Sequence, residues 1–200
     1  MNTLLKYLGR TQRWRTYMGG SYDSAIERSG YKVELEEEKG YTRILLWSPT
    51  EPCIVADLDT SDKVAVLLRL NYSSSCSVDG KMSRGDGTKK MMKFMFSFLK
   101  ELGATKIQLQ DESTITCKGN EVSLMWFSFM KYGQTWYERN FGFHPVAIHH
   151  VEGYNQAKDN WKRSRYEPIP CDMFTEKFVD QLAKELDFTF YRNIVWEKEL

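Results

Sequence analysis

The chain reads as a mixed α/β (α+β) protein with a mostly antiparallel central sheet flanked by helices, and three stretches say so. Residues 31–36 alternate apolar and polar with period two, residues 41–47 are a second strand after a turn at Glu38-Lys39-Gly40, and the pair reads as a hairpin. Met91, Met95, Phe98, Leu99 and Leu102 share one face of a helix over about residues 88–102, with Gly103 at its stop. Lys106-Ile107-Gln108-Leu109-Gln110 alternates again, so this helix returns to a strand, half of a crossover.

The other elements follow in order. Leu4, Leu5 and Leu8 give residues 3–15 a short basic amphipathic helix, broken by Gly19-Gly20. Residues 53–58 are a third strand, and the apolar run 63–70 fits a strand covered on both faces. Residues 71–78 are polar, another strand or an extension of it. Residues 111–120 form a polar excursion and 121–130 a buried helix. Thr135 caps a short helix over 135–140. Residues 151–166 are polar and basic. Asp172 caps a helix over 173–186, on which Phe174, Phe178, Leu182 and Leu186 line up, and 188–196 alternates as a last strand. The 200 residues suit one domain: a basic lead (1–30), antiparallel strands (31–82), a helix-bearing half (82–143) and a C-terminal extension (144–200).

Composition narrows the function classes. The content is 42% hydrophobic, 28% charged and 14% aromatic, which is globular with an aromatic core. A net charge of +1 supplies no global field, so neither nucleic acid nor an anionic membrane is an expected partner, and any anion site is local. Cys53, Cys76, Cys117 and Cys171 form no C-x-x-C pair and are expected to be reduced. With no signal-type leader and no membrane-length apolar run, the expected location is the cytoplasm. The three histidines, His144, His149 and His150, match no zinc spacing, and no G-x-S-x-G elbow is present. The stretch 161–166 mixes bases with aromatics, as a solvated face or a contact for a nucleic-acid backbone or a 3′-phosphate.

Ser83-Arg84-Gly85-Asp86-Gly87-Thr88 precedes the strongest helix. Backbone N–H groups at a helix start lack internal partners, glycine admits close approach, and Lys89 and Lys90 add positive charge, so the segment suits a phosphate. It resembles the [QR]-x-x-G-x-[GA] loop of GNAT-type N-acetyltransferases. In one register Arg84 and Gly87 match and Lys89 replaces the small residue; in another, Gly85 and Gly87 match and Met82 stands where Gln or Arg belongs. The strand 106–110 is similar to the family's next strand. Trp136-Tyr137-Glu138-Arg139-Asn140-Phe141-Gly142-Phe143 is similar to its closing signature, with one extra residue and an insertion over 114–134. Residues 76–92, 110–113 and 132–137 also resemble divergent GNAT-like proteins of large DNA viruses, which would place the chain in host cytoplasm or a virion.

The resemblance implies a GNAT-like fold with 82–143 as the acyl-CoA-binding half. It implies acetyl-CoA as the acyl donor, held at Arg84, Gly85, Asp86, Gly87, Thr88 and Lys89, and an amine acceptor, a small molecule or a protein. Tyr137 is the implied acid for the departing thiolate, and residues 75–78 carry the implied oxyanion donor. Asp111 and Glu112, at the end of a strand, are candidate bases, ahead of Asp79. The alternative is a catalytically inactive protein of the same fold, a structural or interaction module such as a viral particle component, with a homo-oligomer or assembly partner.

Overall fold

A computed structural model describes residues 32–47, 51–71, 76, 84–164, 166–167, 169–188 and 194–200. The expectations for 3–15, Gly19-Gly20, Asp79 and most of 71–83 lie outside these. The chain divides into two compact units, one reaching Thr105 and including Leu200, the other Lys106–Glu199.

In the first unit, β1 (Lys32–Glu38), β2 (Tyr41–Trp47), β3 (Pro52–Asp59) and β4 (Val64–Leu70) form an antiparallel sheet in sequence order. Lys39-Gly40 closes the first hairpin, and Gly40 adopts the positive φ of 94° that the tight turn requires. Ile44, Leu45 and Leu46 of β2 and Cys53 of β3 are buried in succession, and period-two alternation then sends Ile54, Ala56 and Leu58 of β3 and Ala65 and Leu67 of β4 into the core. The run in β4 is not covered on both faces as its composition suggests: Val66 and Leu68 are 39% and 53% exposed, so one face only is buried. Arg43 and Asp57 pair across β2 and β3 through two hydrogen bonds of 2.8 and 2.9 Å.

Helix α1 (Arg84–Glu101) buries Met91, Met92, Met95, Phe98 and Leu99. It starts four residues before the expected Thr88, so Gly85 and Gly87 lie in its first turn rather than in a loop. Its end is a Schellman motif: Gly103, at φ 89°, donates to Lys100 O, and Ala104 N donates to Leu99 O at 2.9 Å.

In the second unit, β5 (Lys106–Gln110), β9 (Val195–Glu199) and β8 (His144–Pro145) are neighbours, all antiparallel. Glu197, buried on β9, accepts from Lys106 Nζ at 2.9 Å and Gln108 Nε2 at 2.8 Å. The expected polar excursion is a hairpin, β6 (Thr114–Cys117) and β7 (Asn120–Ser123), turned at Lys118-Gly119, both with positive φ. Helix α2 (Leu124–Tyr132) follows, capped by Ser123. Then come α3 (Trp136–Phe141), capped by Thr135 as expected, and α4 (Ile148–Ser164), where only a polar basic stretch was expected. The last helix, α5 (Glu176–Glu185), starts at a Thr175 cap rather than at Asp172, which is held by Lys118 Nζ at 2.7 Å. Trp126, Phe129, Tyr154, Phe188 and Trp196 make an aromatic core in which Trp126 and Phe188 lie 5.5 Å apart and Tyr154 meets Trp196 edge-on at 5.0 Å. Tyr154, Phe188 and Trp196, from the expected C-terminal extension, are thus part of this core. Among the described residues, no helix is long and apolar enough to cross a membrane.

The cysteines are not reduced. Cys53 pairs with Cys76 and Cys117 with Cys171, each with Cα atoms 5.9 Å apart. Pairs 23 and 54 residues apart depend on tertiary placement, which spacing does not reveal. Linking Cys117 to Cys171 restricts the unfolded chain, so Cys117→Ser with Cys171→Ser is expected to lower stability by about 2–4 kcal/mol in urea unfolding. Equal midpoints for the two proteins would show that the bridge does not form.

Candidate functional site

The acid–base candidates of the second unit converge where β5 ends. Asp111 follows the last residue of the strand, and its Oδ1 accepts from Ser113 N at 3.1 Å and from Ser113 Oγ at 2.5 Å. This is the local turn that Asp favours, the side chain imitating a backbone acceptor two residues on. Ser113 Oγ lies 3.4 Å from Tyr137 Oη. A hydroxyl has one proton, and the short contact to the carboxylate claims that of Ser113. With Asp111 ionised, the Tyr137 hydroxyl therefore donates toward Ser113 Oγ.

Tyr137 is brought there by α3. Thr135 Oγ1 accepts from Glu138 N at 3.2 Å and Gly142, at φ 76°, ends the helix, so one turn and a half present Tyr137 and Phe141 inward. Glu138 is fixed by Tyr154 Oη at 2.5 Å and by Lys158 Nζ at 2.7 Å. Tyr137 is 4% exposed and packs edge-on against Trp136 and Phe143, with ring centroids 5.0 and 5.7 Å away.

Burial decides the electrostatics. Asp111 as a residue keeps some exposure, but its Oδ2 is out of reach of solvent and has no hydrogen-bond partner. Desolvation pushes its carboxyl up to about 6, against the opposing effect of the two Ser113 hydrogen bonds. The Tyr137 phenol is raised too, first by burial and then by the negative charge of Asp111. At neutral pH the pair is an ionised carboxylate linked through Ser113 to a neutral phenol, with the acid poised near physiological pH.

Of the expected catalytic residues, the structure brings Asp111 and Tyr137 together and leaves Glu112 exposed. Ser113, the link, carried no chemical signal except its place two residues after an Asp.

The expected anion site belongs to the first unit. Arg84 opens α1, Gly85 and Asp86 are exposed, Gly87 is buried, and Thr88 and Lys89 are half-buried in the second turn. A Cβ placed on Gly85 would meet nothing within 4 Å, so there is open space beside the first turn for a ligand group. That space, the helix-start N–H groups and Lys89 suit a pyrophosphate, while the charge of Asp86 opposes one.

The basic-aromatic stretch 161–166 turns inward at its first residue. Trp161 Nε1 donates to Met130 O at 3.0 Å, capping the end of α2, and the ring lies against Gly133. His149 and His150 have ring centroids 4.1 Å apart, and among the described residues no group of side chains could hold a metal ion. A cavity of about 300 Å³ opens elsewhere in the second unit, lined by Phe127, Met130, Lys131, Ile169, Cys171 and Phe174.

Two expected outcomes follow from these contacts. Asp111 binds its proton more tightly folded than unfolded. The contribution of Asp111 to stability is therefore full below about pH 4 and is lost as pH rises toward 6, about 3 kcal/mol at ~1.36 kcal/mol per unit. The difference in unfolding midpoint between the native protein and Asp111→Asn should change by this amount between pH 4 and pH 6; parallel pH profiles would contradict it. Gly133 has φ 68°, and an added Cβ would sit 2.6 Å from the Trp161 ring, so Gly133→Ala is expected to lose ~2 kcal/mol or more by denaturant titration. A loss under about 0.5 kcal/mol would mean that the indole is not seated there.

Compared with known proteins, the chain matches no family model, no curated protein and no solved structure.

Proposed function

We propose that the protein is an acyl-CoA-dependent N-acyltransferase that moves an acetyl group to a primary amine, with Asp111 as the base. The observation that carries this reading is the buried Asp111 carboxyl, raised to about 6 and joined through Ser113 to Tyr137. The resemblance of residues 82–143 to GNAT enzymes supplies the reaction class.

A primary amine of pKa ~10.4 is protonated at neutral pH and must lose a proton before it attacks. Moving that proton to an ordinary aspartate is uphill by about 9 kcal/mol; to a carboxyl near 6 it is uphill by about 6 kcal/mol. Burial of Asp111 thus removes about a third of the barrier, and desolvation of the ammonium group must supply more. Once Asp111 Oδ2 holds the proton, Ser113 is less strongly bound to the carboxyl and its Oγ–H can turn to Tyr137. The Tyr137 phenol, strongly proton-retaining on its own, then has a donor behind it when it gives up its proton to a leaving thiolate. Acetyl-CoA, when bound, supplies the acyl group as an activated thioester. The resemblance, which alone assigns the pyrophosphate, gives it to the first unit, to the backbone N–H groups of Gly85 and Gly87 with Lys89 as counter-charge.

A second reading has its own observation. Tyr137 is packed among Trp136, Phe141 and Phe143 and almost without exposure, which suits a fold kept as a structural or assembly module without catalysis.

Thermal unfolding with acetyl-CoA separates the two. Saturation should add about 2.7 kcal/mol at 100 times Kd, and Gly85→Glu, which has room for the side chain, should abolish the shift. Acetylation of a polyamine or lysine-type amine should rise with pH through an apparent pKa near 6 and lose that limb in Asp111→Asn. An unchanged melting point at millimolar acetyl-CoA, without turnover, would defeat the enzymatic reading and leave the second.

A further inference from the structure

The cavity of the second unit has no part in the proposed chemistry, and its two walls differ in kind. One wall is α2, giving Phe127, Met130 and Lys131. The other is the segment before α5, giving Ile169, Cys171 and Phe174. This second wall is tied to the β6–β7 hairpin at two points and ends in the cap of α5. Cys171 is bonded to Cys117 of the β6–β7 hairpin, Asp172 is held by Lys118 at 2.7 Å, and Thr175 Oγ1 accepts from Phe178 N at 3.3 Å. Phe127 and Phe174 meet edge-on across the cavity with centroids 5.8 Å apart. A site so fastened is largely formed before a ligand arrives, which favours binding.

The lining is apolar except for Lys131. Its Nζ lies 5.8 Å from the Phe127 ring centroid and 5.2 Å from that of Tyr132, and no described ion pair includes it. Arg139 stacks on the same Tyr132 ring at 3.7 Å, outside the cavity lining. Asp172, next to Cys171 in the second wall, has its Oδ2 met by Lys118. A cation beside aromatic faces, without a carboxylate, at the rim of an apolar cavity is complementary to an amphipathic anion. At about 300 Å³ the cavity is at the small end of ligand sites, which run from roughly 300 to 1,000 Å³.

We propose that this cavity binds a small apolar carboxylate, its hydrocarbon body between Phe127, Met130, Ile169 and Phe174 and its carboxylate on Lys131. The site is distinct from the acid–base group at Asp111 and does not depend on the acyltransfer reading.

Calorimetry with 4-phenylbutyrate and octanoate, and with the corresponding amides as neutral controls, tests it on the full oxidised chain. The proposal expects one saturable site, at least tenfold weaker for the amides. Lys131→Met, an exposed position whose change leaves the fold intact, should weaken carboxylate binding about tenfold and erase the preference over the amide. Ile169→Glu should abolish binding, with an unchanged melting profile as the check on folding; should that variant melt early, Lys131→Glu serves instead. Absence of saturable binding at millimolar ligand overturns the proposal. So does binding that survives both Lys131 substitutions undiminished, or amides that bind as tightly as the acids.

Discussion

A carboxylate taken out of water is among the least favourable groups a protein can bury, and Asp111 is buried at one of its two oxygens without any partner. Ser113 satisfies Oδ1 twice; nothing satisfies Oδ2. The consequence is a carboxyl pushed up to about 6, well above an ordinary Asp. The same dry surroundings keep the Tyr137 phenol neutral, and the negative charge of Asp111 strengthens that further. One physical constraint thus separates an acid and a base that the sequence places 26 positions apart.

The constraint is held in place by the C-terminal residues. A helix of six residues, such as α3, has no stability of its own. Thr135 and Gly142 cap it, and α4 holds it: Tyr154 Oη meets both Thr135 N and Glu138, and Lys158 meets Glu138. Farther along α4, Trp161 covers Gly133 at the end of α2. The part of the chain with no resemblance to any motif is the part that fixes the orientation of Tyr137.

Local patterns were legible in the sequence, and their legibility has a physical reason. The alternation in β1 and β5, the Met and Phe stripe of α1, the Gly103 stop and the Thr135 cap all depend on neighbours a few residues away. The start of α1 was not legible, because two glycines disfavour a helix by about 1 kcal/mol each and folding overrides them. The β6–β7 hairpin was hidden by its polar residues, although Lys118-Gly119 was the turn that gives it away. The apolar run of β4 misled, since composition does not report that a face is left exposed. The disulfides, the cap by Trp161 and the bond from Ser113 to Tyr137 join positions far apart and are set by tertiary structure alone. Asp111 and Tyr137 were each legible as candidates; that they belong to one network was not.

The most direct measurement is the titration of the Asp111 side-chain carboxyl itself, followed by its carbon-13 shift from pH 3 to pH 8. A midpoint near 6, with the Tyr137 ring resonances moving over the same range, is the predicted result. A midpoint at the ordinary value of about 3.9, with Tyr137 silent, would mean that the carboxylate is hydrated and that the buried network does not exist.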